Sequence, residues 1–277
     1  GVSASAILVR FSQAPSGVTA AYRLGWTVLL LLPVVLLRCR AELRRVTARD
    51  LVLCGASGVL LALHFLTWFE SLKRTSVASS TVLVSTEVIF TALGFALFLH
   101  GKIPRLGVWA ILLAFGGSAL LALSGGGGAG ELSGNLLALA AASAAAVYTL
   151  IGRIQRGHLS TTVYTFLTYL ACFLTLLLGT AAAGTPLTGY GGREWLIGLA
   201  LAVLCTLLGH SLFSWCLKYL SPSYVSAAKL CEPVFSSLAA IPLFGEVPGP
   251  LQLAGGAAVL GAVLLYTWAE REKTPAG

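Results

Sequence analysis

The stretch "CLKYLSPSYVSAAKLCEPVFSSL", residues 216–238, sets an ammonium and a carboxylate, Lys229 and Glu232, inside a run otherwise apolar enough to enter a bilayer. Laid beneath "SLKRTSVASSTVLVSTEVIFTAL", residues 71–93, it aligns without a gap at a shift of 145 positions. Leu72/Leu217, Lys73/Lys218, Ser76/Ser221, Glu87/Glu232, Phe90/Phe235 and Leu93/Leu238 are identical, and the shift continues through Leu106/Leu251, Gly116/Gly261 and Leu120/Leu265. Shared hydrophobic composition accounts for some leucine matches. A Lys and a Glu recurring at fixed offsets point instead to an internal duplication.

Composition sets the class. The 277 residues are 57% hydrophobic and 10% charged, with a mean hydropathy of +0.89, whereas a soluble domain carries roughly 25% charged residues. The chain therefore reads as an all-α integral membrane protein. No stretch outside the apolar runs is long enough for a soluble domain, which excludes an attached ATPase, kinase or DNA-binding module. The net charge of +8 does not imply nucleic acid, because the basic residues fall in short clusters between apolar runs, as the positive-inside rule requires. Cys39, Cys54, Cys172, Cys205, Cys216 and Cys231 lie mostly within those runs and form no C-x-x-C pair. They read as small buried thiols, with no disulfide or metal indicated.

A spanning helix needs about 20 mainly apolar residues. Such runs cover Ala20–Leu37, Leu51–Phe69, Ser76–Leu99, Leu106–Ser124, Leu132–Gly152, Leu159–Ala183, Trp195–Leu217, Pro222–Phe244 and Pro250–Ala269. The opening "GVSASAILVR" is a tenth, too short to cross and without an initiator Met, so the first helix is read as truncated at its start. "QAPSG", "HGKIP", "SGGGGAGELSG", "AAGTPLTGYGG", "YLSPS" and "FGEVPGP" punctuate the spans. Gly125–Gly128 lack the Lys-Ser/Thr of a phosphate loop and read as a slack connector. The expected organisation is a first five-helix repeat over 1–124, a Gly-rich connector over 125–131 and a second repeat over 132–277.

Five spans is an odd number, so the second copy enters the membrane upside down. Ten transmembrane helices in two inverted five-helix repeats form a recurring transporter architecture, with substrate held near midplane and access alternating as the halves rock. Alternate connections on one side hold twelve Lys and Arg, those on the other only Arg10, Lys73, Arg74 and Arg193. That bias places both termini in the cytoplasm.

With those features the chain resembles the EamA-type carriers of the drug/metabolite transporter superfamily. The resemblance is carried by "LKYLSPSYVSAAKLCEPVFSSLAAIPLFGEVP" in the second half. In the first half it is carried by "FLTWFESLKRTSVASSTVLVSTEVIF" and the Tyr-Arg opening the second helix. It implies outward transport of a small polar metabolite such as an amino acid. Two departures stand in the first half. Val88 occupies the place of the Pro that usually follows the Glu or Gln, which removes a proline-dependent bend from the fourth span, and after the glycine of "HGK" stands Lys102 where the second half, in "FGE", has Glu246.

An ionisable group at bilayer depth costs at least about 2.5–3.5 kcal/mol on insertion scales, so it usually faces the bundle interior or a wet cavity. Glu87 and Glu232 fall near the middle of their spans and are related by the repeat. They are candidates for a substrate or proton site; a structural polar contact between helices is the plainer alternative. Lys229, three residues before Glu232, is expected on the same helical face and is read as its partner, keeping it ionised while Pro233 loosens the helix. Val84 occupies the corresponding place before Glu87. Glu87 is therefore the expected proton carrier, with Arg23 left open as a partner from another helix.

His64 and Trp68 share a face of the third span, and His210 precedes Ser214 by one turn in the eighth. A His and an indole can cradle a polar or aromatic solute, although a lone helical His is more often a satisfied structural donor. The two histidines are expected in opposite vestibules. Tyr148, Tyr22 and Trp26 are deeper aromatic candidates, whereas Trp109, Trp195 and Trp268 read as interfacial anchors. Ser85 belongs to a mildly polar run on the fourth helix. Its plainer role is close packing, as for the small-residue run 254–262.

The leading reading is a secondary carrier of the inner membrane, not an enzyme. It uses no cofactor or metal, moves a small molecule by proton coupling or exchange, and exists as a monomer or weak homodimer. The alternative is an intramembrane enzyme acting on a lipid-linked or small-molecule substrate. The chain lacks H-E-x-x-H and G-x-S-x-G, and "GASG" at 55–58 has the wrong spacing for the latter.

Overall fold

The structure, a computed structural model, describes residues 3–98, 104–124, 129–220, 225, 229 and 231–271. The helices are α1 (Ser3–Phe11), α2 (Ser16–Arg38), α3 (Arg40–Leu43), α4 (Ala48–Arg74), α5 (Val77–Val84), α6 (Glu87–Phe98) and α7 (Arg105–Ser124). They continue with α8 (Ala129–Gln155), α9 (Thr161–Ala182), α10 (Gly192–Ala200), a π-helical segment Leu201–His210, α11 (Ser211–Cys216), α12 (Cys231–Phe244) and α13 (Pro250–Arg271). No strand occurs among the described residues.

Among the described residues, seven helical stretches are long and apolar enough to cross a membrane, counting 77–97 and 192–216 each as one, and residues 105–121 and 232–244 form shorter apolar helices. Their ends carry local signals. Thr47 and Asp50 form a reciprocal capping box at the start of α4, Ser76 caps α5 and Ser160 caps α9 through their hydroxyls. Such caps satisfy amides that no helical carbonyl can reach. Outward faces carry leucines such as Leu37, Leu178, Leu208 and Leu243, which belong against lipid. This is a multi-pass membrane protein.

Glycine sets how closely helices approach. A Cβ on Gly58 of α4 would meet Ala171 Cβ at 2.5 Å and Thr168 O at 2.6 Å on α9. Gly117 on α7 and Gly255 on α13 meet reciprocally: a Cβ on either would reach the other's carbonyl oxygen at 2.8 and 2.9 Å. The small-residue run 254–262 thus packs, through Gly255, inside the chain, as expected of small residues between membrane helices.

Three spans depart from their expected form. The fourth is broken between Val84 and Glu87 although no proline is present. The eighth contains the π-helical segment. In the ninth, α12 begins only at Cys231, and the expected start at Pro222 lies outside the described residues, as do Lys102 and residues 125–128 of the connector. Pro233 therefore stands in the first turn of α12, a position where a missing N–H is tolerated. Ala129–Glu131, expected in the connector, are already part of α8.

Candidate functional site

The break in the fourth span is a competition for carbonyls. Ser85 Oγ donates to Thr81 O at 2.8 Å and Thr86 Oγ1 to Leu83 O at 2.7 Å, while the amides of Ser85 and Thr86 contact carbonyls three residues back. Hydroxyls that bond the preceding turn compete with the backbone ladder and bend helices. Glu87 consequently becomes the first residue of α6, and Glu232 is the second residue of α12. Both acids lie in the first turn of a helix, where the dipole favours negative charge.

Their partners differ from those expected. Lys229 Nζ donates to both oxygens of Glu87 at 2.9 Å, and Thr149 Oγ1 of α8 donates to Oε1 at 2.8 Å. The expected Lys229–Glu232 pair is replaced by Lys229–Glu87. The reason is local: α12 starts at Cys231, so Lys229 precedes the helix on which a shared face was assumed. The reading of Glu87 as the acid without a cation falls with it. Glu232 Oε1 is buried and has no hydrogen-bond partner.

Arg23, on α2, is completely buried. Its Nε donates to Thr206 Oγ1 at 2.8 Å and its Nη1 to Ser5 Oγ at 3.1 Å, and Cζ lies 4.2 Å from the centre of the Phe65 ring. Nη2 has no partner. Thr206 belongs to the π-helical segment, where its hydroxyl also bonds Leu201 O, five residues back. Such wide turns are frequent at functional sites, and here one presents a hydroxyl to a buried guanidinium.

His64 stacks on Trp68 with ring centres 5.8 Å apart, and its Nδ1–H meets Ala141 O at 3.0 Å. His210 lies 6.4 Å from the His64 ring and 6.4 Å from the Tyr148 ring. The two histidines share one chamber and do not separate into opposite vestibules. Tyr148 shares a hydrogen bond with Ser214 Oγ at 3.3 Å.

Glu87, Glu232, Lys229, Arg23 and Ser85, together with His64, Trp68, His210 and Tyr148, line one cavity of about 40 Å³. A water needs roughly 10–15 Å³ on this measure, so the chamber is drawn in around a few waters' worth of space. Tyr22 and Trp26 lie elsewhere, with Trp195 in a lateral apolar groove, Tyr22 stacked on Trp195 at 4.0 Å. Among the described residues no group of His, Cys, Asp and Glu could hold a metal. Ser5 also lines the cavity; Thr149 and Thr206 bind its charged residues. Nothing in sequence marked these hydroxyls, because Ser and Thr are tolerated anywhere in membrane helices.

Arg10 lies five residues beyond Ser5 on α1, about 7.5 Å at 1.5 Å rise per residue. Its Nη2 contacts Glu246 Oε1 at 2.7 Å, Nη1 bonds Leu72 O, and Glu246 Oε2 accepts the Val77 amide at 2.7 Å. Lys73, in the last turn of α4, donates to Ala14 O, and Glu194 accepts from Ser12 Oγ and the Gln13 amide.

The profile of the EamA-like transporter family matches residues 1–123 and 132–268. The chain is 24% identical over 207 residues to the pseudopaline exporter CntI of Pseudomonas aeruginosa, covering 75% of this chain and 72% of the relative. It is 28% identical over 233 residues to a protein of Streptantibioticus cattleyicolor named a probable terminal-alkyne amino-acid exporter, covering 80% and 75%. A solved crystal structure matches with a TM-score of 0.66 at 20% identity, over 99% of this chain and 98% of that one, a likeness of fold.

Proposed function

The chain belongs to the EamA-like transporter family, and from that membership we propose that it is a secondary carrier of the inner membrane exporting a small polar metabolite, an amino acid or related compound. Residues 1–124 and 132–277 act as two inverted five-helix halves, ten spans in all, with both termini cytoplasmic. The family match dividing at the same point supports the two halves. So does the recurrence of a carboxylate in the first turn of a helix, at Glu87 and again at Glu232.

One observation carries the reading: two acids, a lysine and an arginine from both halves converge on a single buried cavity. Ionisable groups in a membrane interior mark substrate and ion pathways by default. The halves are also tied across that cavity, Glu87 of the first to Thr149 and Lys229 of the second. Rocking of the halves would have to rearrange those bonds, which suits a site read from alternating sides. Coupling to protons falls to Glu232, whose Oε1 lacks a partner, and not to Glu87. The relatives are named as exporters, which favours flux over catalysis.

Purified chain in proteoliposomes, loaded with a panel of labelled amino acids and related zwitterions, tests this by counterflow. A compound must exchange above empty vesicles and be recovered chemically unchanged. No flux for any member defeats the carrier reading, and a chemically altered product favours the intramembrane enzyme.

A further inference from the structure

Among the described residues, three fully buried side-chain polar atoms of the cavity lining lack a hydrogen-bond partner: Arg23 Nη2, Trp68 Nε1 and Glu232 Oε1. Two are donors, one of them cationic, and the third is a carboxylate oxygen. Buried polar groups are almost always satisfied, and an unsatisfied one calls for an explanation. The orphaned charges do not serve each other, since no hydrogen bond or ion pair joins Arg23 to Glu232. Nor is the remaining pair free to serve them, because Lys229 is spent on both oxygens of Glu87.

We infer that Arg23 and Glu232 are the two poles of a zwitterion-binding subsite, Arg23 (with the Trp68 indole) receiving a carboxylate and Glu232 an ammonium of the same solute. This deepens, and rests on, the carrier reading above. The charge balance is the main reason. With Glu87 and Lys229 neutralising each other, the chamber presents one net cation and one net anion that no hydrogen bond or ion pair joins. A solute bearing both charges satisfies both at once, whereas an anion or a cation alone leaves one buried charge uncompensated. Breaking such compensation is costly in an apolar interior.

Arg23 is also held ready for the task. Thr206 and Ser5 fix two of its nitrogens and the Phe65 ring supports the guanidinium face, so its remaining edge is oriented before any solute arrives. Such preorganisation lowers the ordering cost of binding.

The probes are the proteinogenic L-amino acids, each beside its carboxamide and its des-amino acid, and the readout is ligand-induced thermal stabilisation of the purified chain. At least one amino acid is expected to bind roughly ten- to hundredfold more tightly than both analogues, the difference a charge-assisted hydrogen bond supplies. In Arg23→Gln the carboxamide should bind as well as the acid, and in Glu232→Gln the des-amino acid as well as the amino acid. A merely structural Arg23 would weaken every ligand without changing the order. Wild-type discrimination needs no variant, so misfolding of Arg23→Gln does not spare the inference. Equal stabilisation by acid and carboxamide, or stabilisation by none of the amino acids, overturns it. Counterflow of the same compounds separates the two claims: flux without acid–amide discrimination sinks the subsite and keeps the carrier, and discrimination without flux does the reverse.

Discussion

Lys229 Nζ lies 2.9 Å from both carboxylate oxygens of Glu87, a residue 142 positions away, and makes no such contact with Glu232 three positions on. Both members of the pair are largely withdrawn from solvent. A buried pair contributes little beyond an apolar substitute, but removing one partner strands the other at about 3–5 kcal/mol. Lys229→Ala or Glu87→Ala alone should therefore lower thermal stability sharply in detergent. The Glu87→Gln/Lys229→Gln double variant should recover most of the loss of Lys229→Gln. Additive losses in that double-mutant cycle would mean the two side chains are not coupled.

Glu232 is the acid whose protonation can change without breaking an ion pair. In proteoliposomes an imposed proton gradient should alter flux in the wild type and in Glu87→Gln, if the latter folds, but not in Glu232→Gln. Glutamine keeps the shape and one acceptor while removing the titrating proton, so the contrast isolates charge from packing. A gradient response that survives Glu232→Gln and vanishes in Glu87→Gln would return the role to Glu87.

The Arg10–Glu246 contact ties α1 to the connection after α12, and the second carboxylate oxygen of Glu246 holds the α5 amide of Val77. Loss of Glu246 thus releases two elements at once. With the six native cysteines replaced by serine and Ser85→Cys added as a reporter in the cavity, Glu246→Ala should speed labelling by a membrane-impermeant maleimide applied from the Arg10 side. Unchanged labelling would show that this contact does not close the chamber.

What sequence could reveal here follows from cost. A charge or a histidine in an apolar span is expensive enough to have a reason, and Arg23, His64, Glu87, His210, Lys229 and Glu232 all reach the same cavity. Which of them touch is a different question, because pairing depends on backbone continuity. The same-face argument for Lys229 and Glu232 presupposed a helix that starts only at Cys231. The interruption before Glu87 carried no proline to announce it; two hydroxyls make it by bonding the preceding turn. His64 and His210 meet through the packing of separate helices, which no single-helix periodicity encodes.

Gly58 and Gly55 sit one turn apart on α4 and should respond to alanine in opposite ways. At Gly58 the new methyl would press on Ala171 Cβ at 2.5 Å, Thr168 O at 2.6 Å and Cys172 N at 2.7 Å, two of them backbone atoms of α9. Backbone cannot rotate aside as a side chain can, so α4 and α9 must separate, and overpacking of this kind costs about 1–3 kcal/mol. At Gly55 nothing lies within 4 Å of the added carbon, and replacing a helical glycine there should stabilise by roughly 0.5–1 kcal/mol. His64 lies six positions beyond Gly58 on the same helix, so separation of α4 from α9 would also disturb the chamber. Gly58→Ala is therefore expected to lower both melting temperature and flux, while Gly55→Ala raises the first and leaves the second alone. Equal melting temperatures for the two variants would mean that α4 and α9 do not approach this closely in the membrane.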